Sequence, residues 1–204
     1  ILLLRSLTGS IYPGREPSIR VIHFCKALLI IGRKCPIGRS RLSAELSLGE
    51  GSIRTLLNRF ENVGIVQIDQ HGCKLTEKGN TFYKILRTKI IASLEIRSKT
   101  FSIDQYTTAL QIANSASRIR SGLEQRDAAI RAMASGAVTL VVKDSNLLLP
   151  TSDEKRLLDN KDPLRNELIN YFKLNDEDVL ILASGKKKED ADYGAIAAAL
   201  TLIE

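Results

Sequence analysis

Arg54, Thr55, Asn58 and Arg59 are the side chains here whose type and spacing could do chemistry. Arginine pairs bidentately with guanine and asparagine with adenine in the major groove of DNA. Ser52 and the backbone around Gly49 and Gly51 would then sit at a helix start, where free N–H groups favour a phosphate. A merely solvated face is the competing explanation. Arg39, Arg41, Gln70, His71 and Lys74 form a second rank, for which a solvated side chain serves as well as a backbone contact.

Other chemistries find less support. His23, Cys25, Cys35, His71 and Cys73 include zinc-ligand types, but none falls in the paired CxxC or HxxxH spacing of strong sites, so no metal is expected. Cys25 lies in an apolar run and reads as core. The charged run Gly185 to Asp192 lacks phosphate-loop spacing and reads as a solvated loop. Glu124, Arg126 and Asp127 suit helix capping and local ion pairs. Both histidines lie in the first half, and no Ser-His-Asp or Cys-His grouping is available. Catalytic residues, cofactors and enzymatic activity are not expected.

The elements that would carry these residues follow from periodicity. Ile53, Leu56, Leu57 and Phe60 fall at i, i+3, i+4 and i+7, giving one apolar stripe on a helix from Glu50 to Val63. A helical segment from Arg39 to Leu46 precedes it through the turn Ser47-Leu48-Gly49, a helix-turn-helix arrangement. Ile65 to Gln70 alternates, His71-Gly72 reads as a hairpin turn and Cys73 to Leu75 returns. Thr76 is placed as an N-cap. A ribbon directly after a recognition helix is the wing of a winged helix. Upstream, Gly9 to Pro17 reads as a loop and Ser18 to about Ile31 as an apolar helix. Downstream, Asn80 to about Ile96 reads as one long helix, with Phe82, Ile85, Leu86, Ile90 and Leu94 on one side, suited to a dimer contact. Arg97 to Ser102 reads as a linker.

The second half changes pattern. Strands are expected at Tyr106 to Ala113, Val138 to Lys143, Leu147 to Leu149 and Val179 to Ala183. Helices are expected at Leu123 to Ala134, from Pro163 to Lys173 and at Tyr193 to Ile203. That order is β-α-β-β-α-β with a terminal helix, the ferredoxin-like pattern. The small-residue runs Ala128 to Ala137 and Gly194 to Ala199 suit close packing, with an interface or ligand crevice as the other use. The fold class is therefore α+β: a winged helix-turn-helix in residues 1–99 and a ferredoxin-like βαββαβ domain in 100–204.

Charge divides along the same line. Residues 1–99 hold 17 Lys and Arg against 7 Asp and Glu, whereas 100–204 hold 13 against 16. The basic half is the one that would need phosphate contacts. Three cysteines make no disulfide framework, no secretory signal is apparent, and the apolar Ile1 to Leu4 is too short to span a membrane. A cytoplasmic location is expected.

The chain resembles a family of archaeal two-domain proteins with an N-terminal winged helix and a C-terminal domain of unknown function. The matching residues are Leu48 to Leu57 and Leu75-Thr76-Glu77-Lys78-Gly79, then Arg126-Asp127-Ala128-Ala129-Ile130, Gly136-Ala137 and Lys143-Asp144. The resemblance covers most of residues 20–203 and implies a transcription regulator. It carries over no catalytic or ligand residues. The expected partners are double-stranded DNA, a second copy of the chain and a small-molecule effector at a C-terminal ligand-sensing or oligomerisation domain. A winged-helix protein-protein interaction module, in a transcription or RNA-processing assembly, is the alternative.

Overall fold

A computed structural model describes residues 2–8, 19–97, 99–150 and 155–203. The chain divides into two compact units, residues 1–87 and 88–204. The expected loop Gly9 to Pro17 lies outside the described residues.

In the first unit, α1 (Leu2–Ser6) precedes α2 (Val21–Lys34), α3 (Arg39–Leu46) and α4 (Glu50–Asn62). A hairpin of β1 (Val66–Asp69) and β2 (Gly72–Leu75) follows, then α5 (Glu77–Lys89). The core forms where apolar stripes meet. Phe24 of α2 and Phe60 of α4, both fully buried, touch edge to face with ring centroids 5.3 Å apart. The hairpin turn is Gln70-His71, one residue earlier than expected, because Asp69 pairs with Gly72. Gly72 has φ +124, and a Cβ there would lie 2.7 Å from the Ile37 carbonyl oxygen, so only glycine fits. The close approach lets Ile37 and Cys73 exchange two backbone hydrogen bonds, of 3.0 and 2.8 Å, tying the α2–α3 loop to the hairpin. Thr76 caps α5, its hydroxyl accepting from the Gly79 amide at 3.0 Å.

The long helix expected to Ile96 ends at Lys89. Ile90–Glu95 is instead a strand, β3, antiparallel to β4 (Tyr106–Ile112). Phe82, Ile85, Leu86, Ile90 and Leu94 fit a helical period, but Ile90, Ala92, Leu94 and Ile96 equally fit alternation. The β-branched run 90–91 and an open sheet edge decide for the strand. Ile90 and Ile96 are buried, and Leu94 packs on the second unit's core. The surplus of apolar residues therefore belongs to a sheet. It does not mark a dimer helix, and the boundary moves from residue 99 to 87.

The second unit adds α6 (Leu123–Arg131), β5 (Gly136–Lys143), β6 (Asn146–Pro150), β7 (Lys155–Leu157), α7 (Pro163–Tyr171), β8 (Val179–Gly185) and α8 (Lys188–Ile203). Asp162 caps α7, accepting from the Leu164 amide at 2.8 Å, with Pro163 in the first turn. The sheet order is β3-β4-β8-β5-β6-β7, and every neighbouring pair is antiparallel. The ferredoxin-like order is thereby corrected. That fold centres the first and third of its four strands, whereas here the fourth (β8) and second (β5) are central. β3 and β7 extend the two edges.

Alternation along β8 sorts the layers. Leu180 and Leu182 face the cluster that contains Leu164 and Leu168 of α7. The intervening residues face the other way, where a Cβ on Gly194 of α8 would meet Ala134, Ala183 and Ala129 within 3.5 Å. So α7 covers one face, α6 and α8 the other, and all seven β8 residues are buried. A ferredoxin-like domain keeps both helices on one face. The small-residue runs serve this close helix–sheet approach. The charged run before α8 contributes Lys188, which pairs with Glu95 at 3.4 Å and Asp192 at 3.2 Å.

Candidate nucleic-acid interface

Helix α4 positions the first-ranked residues. Its stripe Ile53, Leu56, Leu57 and Phe60 is buried, which turns Arg54, Thr55 and Asn58 to the outside, all exposed. Ser52 is half-buried in the first turn. No side chain caps the helix start after Gly49, and neither Gly49 nor Gly51 would place a Cβ within 4 Å of anything. A phosphate could therefore approach this backbone closely. The Thr55 hydroxyl donates to the Gly51 carbonyl at 3.1 Å, along the helix.

Two features of α4 went unread in the sequence. Glu50 and Glu61 are exposed and stand four residues before and seven after Arg54, so both carboxylates share its flank. Arg59, on the opposite flank, donates from Nη1 to the Leu7 carbonyl just beyond α1 at 2.8 Å. A bond across 52 residues leaves no local signal.

The second-ranked residues separate into groups. A cleft between the start of α3 and the hairpin is lined by Gly38, Arg39, Gln70, His71 and Gly72 among others, so Arg39 meets the hairpin turn. Arg41 is exposed on α3. Gln70 Nε2 and His71 Nε2 lie 3.3 Å apart. Lys74 is held by Asp69, with Nζ 2.8 Å from Oδ2. The Asp69 carboxyl also accepts from the His71 amide at 2.8 Å. Hydrogen bonds from Lys74 and His71 hold that carboxyl below its usual range, and Asp69 raises the Lys74 ammonium above its own. Asp69-Gln70-His71 is an Asx turn, a signal that could have identified Asp69.

The thiol and imidazole groups are placed as core. Burial pushes the Cys25 and Cys73 thiols up to about 12, so neither is a ready thiolate, while Cys35 is exposed. Burial, with Arg20 and Lys26 nearby, lowers His23 to about 4, and its Nδ1 accepts from the Arg20 amide at 2.8 Å. Among the described residues no group of three or more His, Cys, Asp or Glu is placed to hold a metal ion. Among them, too, no helix is long and apolar enough to cross a membrane.

With the boundary at residue 87, the first unit holds 14 Lys and Arg against 6 Asp and Glu, and the second 16 against 17. The basic excess thus stays with α4 and the hairpin.

Residues 27–81 match the family model described as PH0730-like, N-terminal domain. Residues 103–202 match that of a domain of unknown function, DUF4443. Among solved structures, the hypothetical protein PH0730 from Pyrococcus horikoshii OT3 is similar with a TM-score of 0.74 at 26% identity. The similarity covers 91% of this chain and 93% of that one. No curated protein matches the chain. The chain thus carries a PH0730-like N-terminal domain followed by a DUF4443 domain, and over nearly all its length it is similar to an archaeal hypothetical protein.

Proposed function

We propose that the first unit is a winged helix-turn-helix that reads duplex DNA, and that the chain is a cytoplasmic, non-enzymatic transcription regulator acting as a homodimer. In this reading α4 enters the major groove, with Arg54 and Asn58 at base edges. Ser52, Thr55 and the free helix start lie near phosphates, and Arg39, Arg41, Gln70 and His71 flank the backbone from α3 and the wing. Arg59 and Lys74 contribute less, since each already has a protein partner. The second unit serves ligand sensing or oligomerisation. The observation that carries the reading is the exposed face of Arg54, Thr55 and Asn58, opposite a fully buried stripe on the basic unit.

Binding of the full chain to duplex DNA, titrated against salt, tests it. The log–log slope should be roughly −0.9 per phosphate neutralised. On a specific site recovered by genome-wide mapping, Arg54→Ala should cost about 1–3 kcal/mol and relax preference at one base pair. Absence of duplex binding at low salt would sink the proposal. The alternative, a winged-helix docking module in a transcription or RNA-processing assembly, draws on Glu50 and Glu61 beside Arg54 and on the neutralised Lys74. All three features weaken a polyanion site. A protein partner held in fixed ratio, with no DNA affinity, would favour it.

A further inference from the structure

We propose that the outer face of α6 is the surface through which two copies of this chain pair, helix against helix, about a two-fold axis passing between Arg126 and Asp127. The inner face of α6 is fixed by the buried Gln125, Ala129 and Ala132. At 3.6 residues per turn, Leu123 and Ile130 then project directly outward, with Arg126 and Asp127 between them. Leu123 is 51% exposed and Ile130 47%, and Met133, just past the helix end, is 71% exposed. Solvent is a poor neighbour for three large apolar side chains on one short element.

The charges on this face select the occupant. Arg126 and Asp127 are each about half exposed and reach each other weakly, at 3.3 Å between Nη2 and Oδ1. An isologous contact requires that whatever residue i offers, residue j of the copy accepts, and the reverse. In an antiparallel pair centred between 126 and 127, Leu123 faces the copy's Ile130, and Arg126 faces the copy's Asp127. Each pairing occurs twice. The sequence Leu-x-x-Arg-Asp-x-x-Ile is complementary to itself in this register, and Met133 extends the apolar strip at both ends. A partner of arbitrary chemistry would not call for apolar, cation, anion, apolar in palindromic order.

The inference deepens the proposed homodimer, but it is tested without DNA, so loss of the DNA-binding reading would leave it standing. Sedimentation of the full chain at tens of micromolar should give twice the mass of one chain. Arg126→Asp sets two like-charged pairs across the axis and should yield monomer, as should Ile130→Glu. The double change Arg126→Asp with Asp127→Arg restores opposite charges and should restore the dimer. All are surface changes, and an unfolding temperature close to the wild type's confirms that each variant is folded. A wild-type monomer, a dimer that survives Arg126→Asp, or a double variant that stays monomeric would each overturn the proposal. Recovery by the double change is a result that a merely structural role for either residue would not produce.

Discussion

Helices α4 and α6 are both amphipathic, yet they are anchored and finished in opposite ways. The inner face of α4 carries Ile53, Leu56, Leu57 and Phe60, whereas that of α6 carries Gln125, Ala129 and Ala132. Outside, α4 shows Arg54, Thr55 and Asn58, and α6 shows Leu123 and Ile130. Large inner residues hold a helix at a distance through side-chain volume. Small ones hold it by close approach to its neighbours. The outer faces then differ in what they can meet: a hydrated polyanion in one case, another apolar face in the other.

The largest effects should come from reversing the two anchoring modes. Phe60→Ala empties the centre of the first unit and should cost about 3–5 kcal/mol. Gly194→Val acts in the opposite sense, placing a Cβ 2.4 Å from that of Ala134, and overpacking of this kind costs about 1–3 kcal/mol. Denaturant unfolding of each variant, followed by helical circular dichroism, checks both. If Gly194→Val were tolerated without loss, α8 would not be held by close approach, and the contrast between the units would fail.

Acid should separate the units further. Both histidines lie in the first unit. His23 is lowered from 6.5 to about 4, so the unfolded chain binds the extra proton first as pH falls. Stability contributed by neutral His23 is present above pH 6.5 and lost progressively as pH falls towards 4. The denaturation midpoint of the first unit should drop across that window, and His23→Gln should flatten the slope. Identical slopes for the two proteins would remove His23 as the titrating group.

The smallest expected effect sharpens the reading of the hairpin. Asp69→Asn removes the carboxylate that neutralises Lys74, and DNA affinity should rise a few-fold at low salt, an effect of about 1 kcal/mol or less for an exposed pair. Unchanged or weaker binding would show that Lys74 does not face DNA.

Much of the first unit was legible because its signals are local. Helix α3 was expected at Arg39 to Leu46 and is found there, and α4 ends one residue before the expected Val63. Short turns, a dense apolar stripe and the Thr76 cap leave little freedom. The second unit's elements were legible for similar reasons, with Asp162-Pro163 a clear helix start. Pairing was not. Whether Ile90–Glu95 continues a helix or joins a sheet depends on β4, which lies beyond the following loop. The central place of β8 is a matter of neighbours more than 40 residues away in sequence. At the candidate interface, the outward face of α4 could be read from spacing alone. The bond from Arg59 to Leu7 comes from tertiary folding, whereas the tie between Lys74 and Asp69 could have been suspected from the turn they enclose.

The position of β8 also bears on how the chain is made. A ribosome delivers residues from the N-terminus, and every residue of the first unit precedes the second. β4 and β5 emerge early, but they do not pair with each other; each pairs with β8, residues 179–185. Until that segment is synthesised, the second unit holds two incomplete ribbons, β3–β4 and β5–β6–β7, with an open slot between them. The nascent chain can thus finish its first unit while the second waits for its keystone, and truncation anywhere before residue 179 leaves two unpaired strand edges, the kind of surface that attracts aggregation or chaperones.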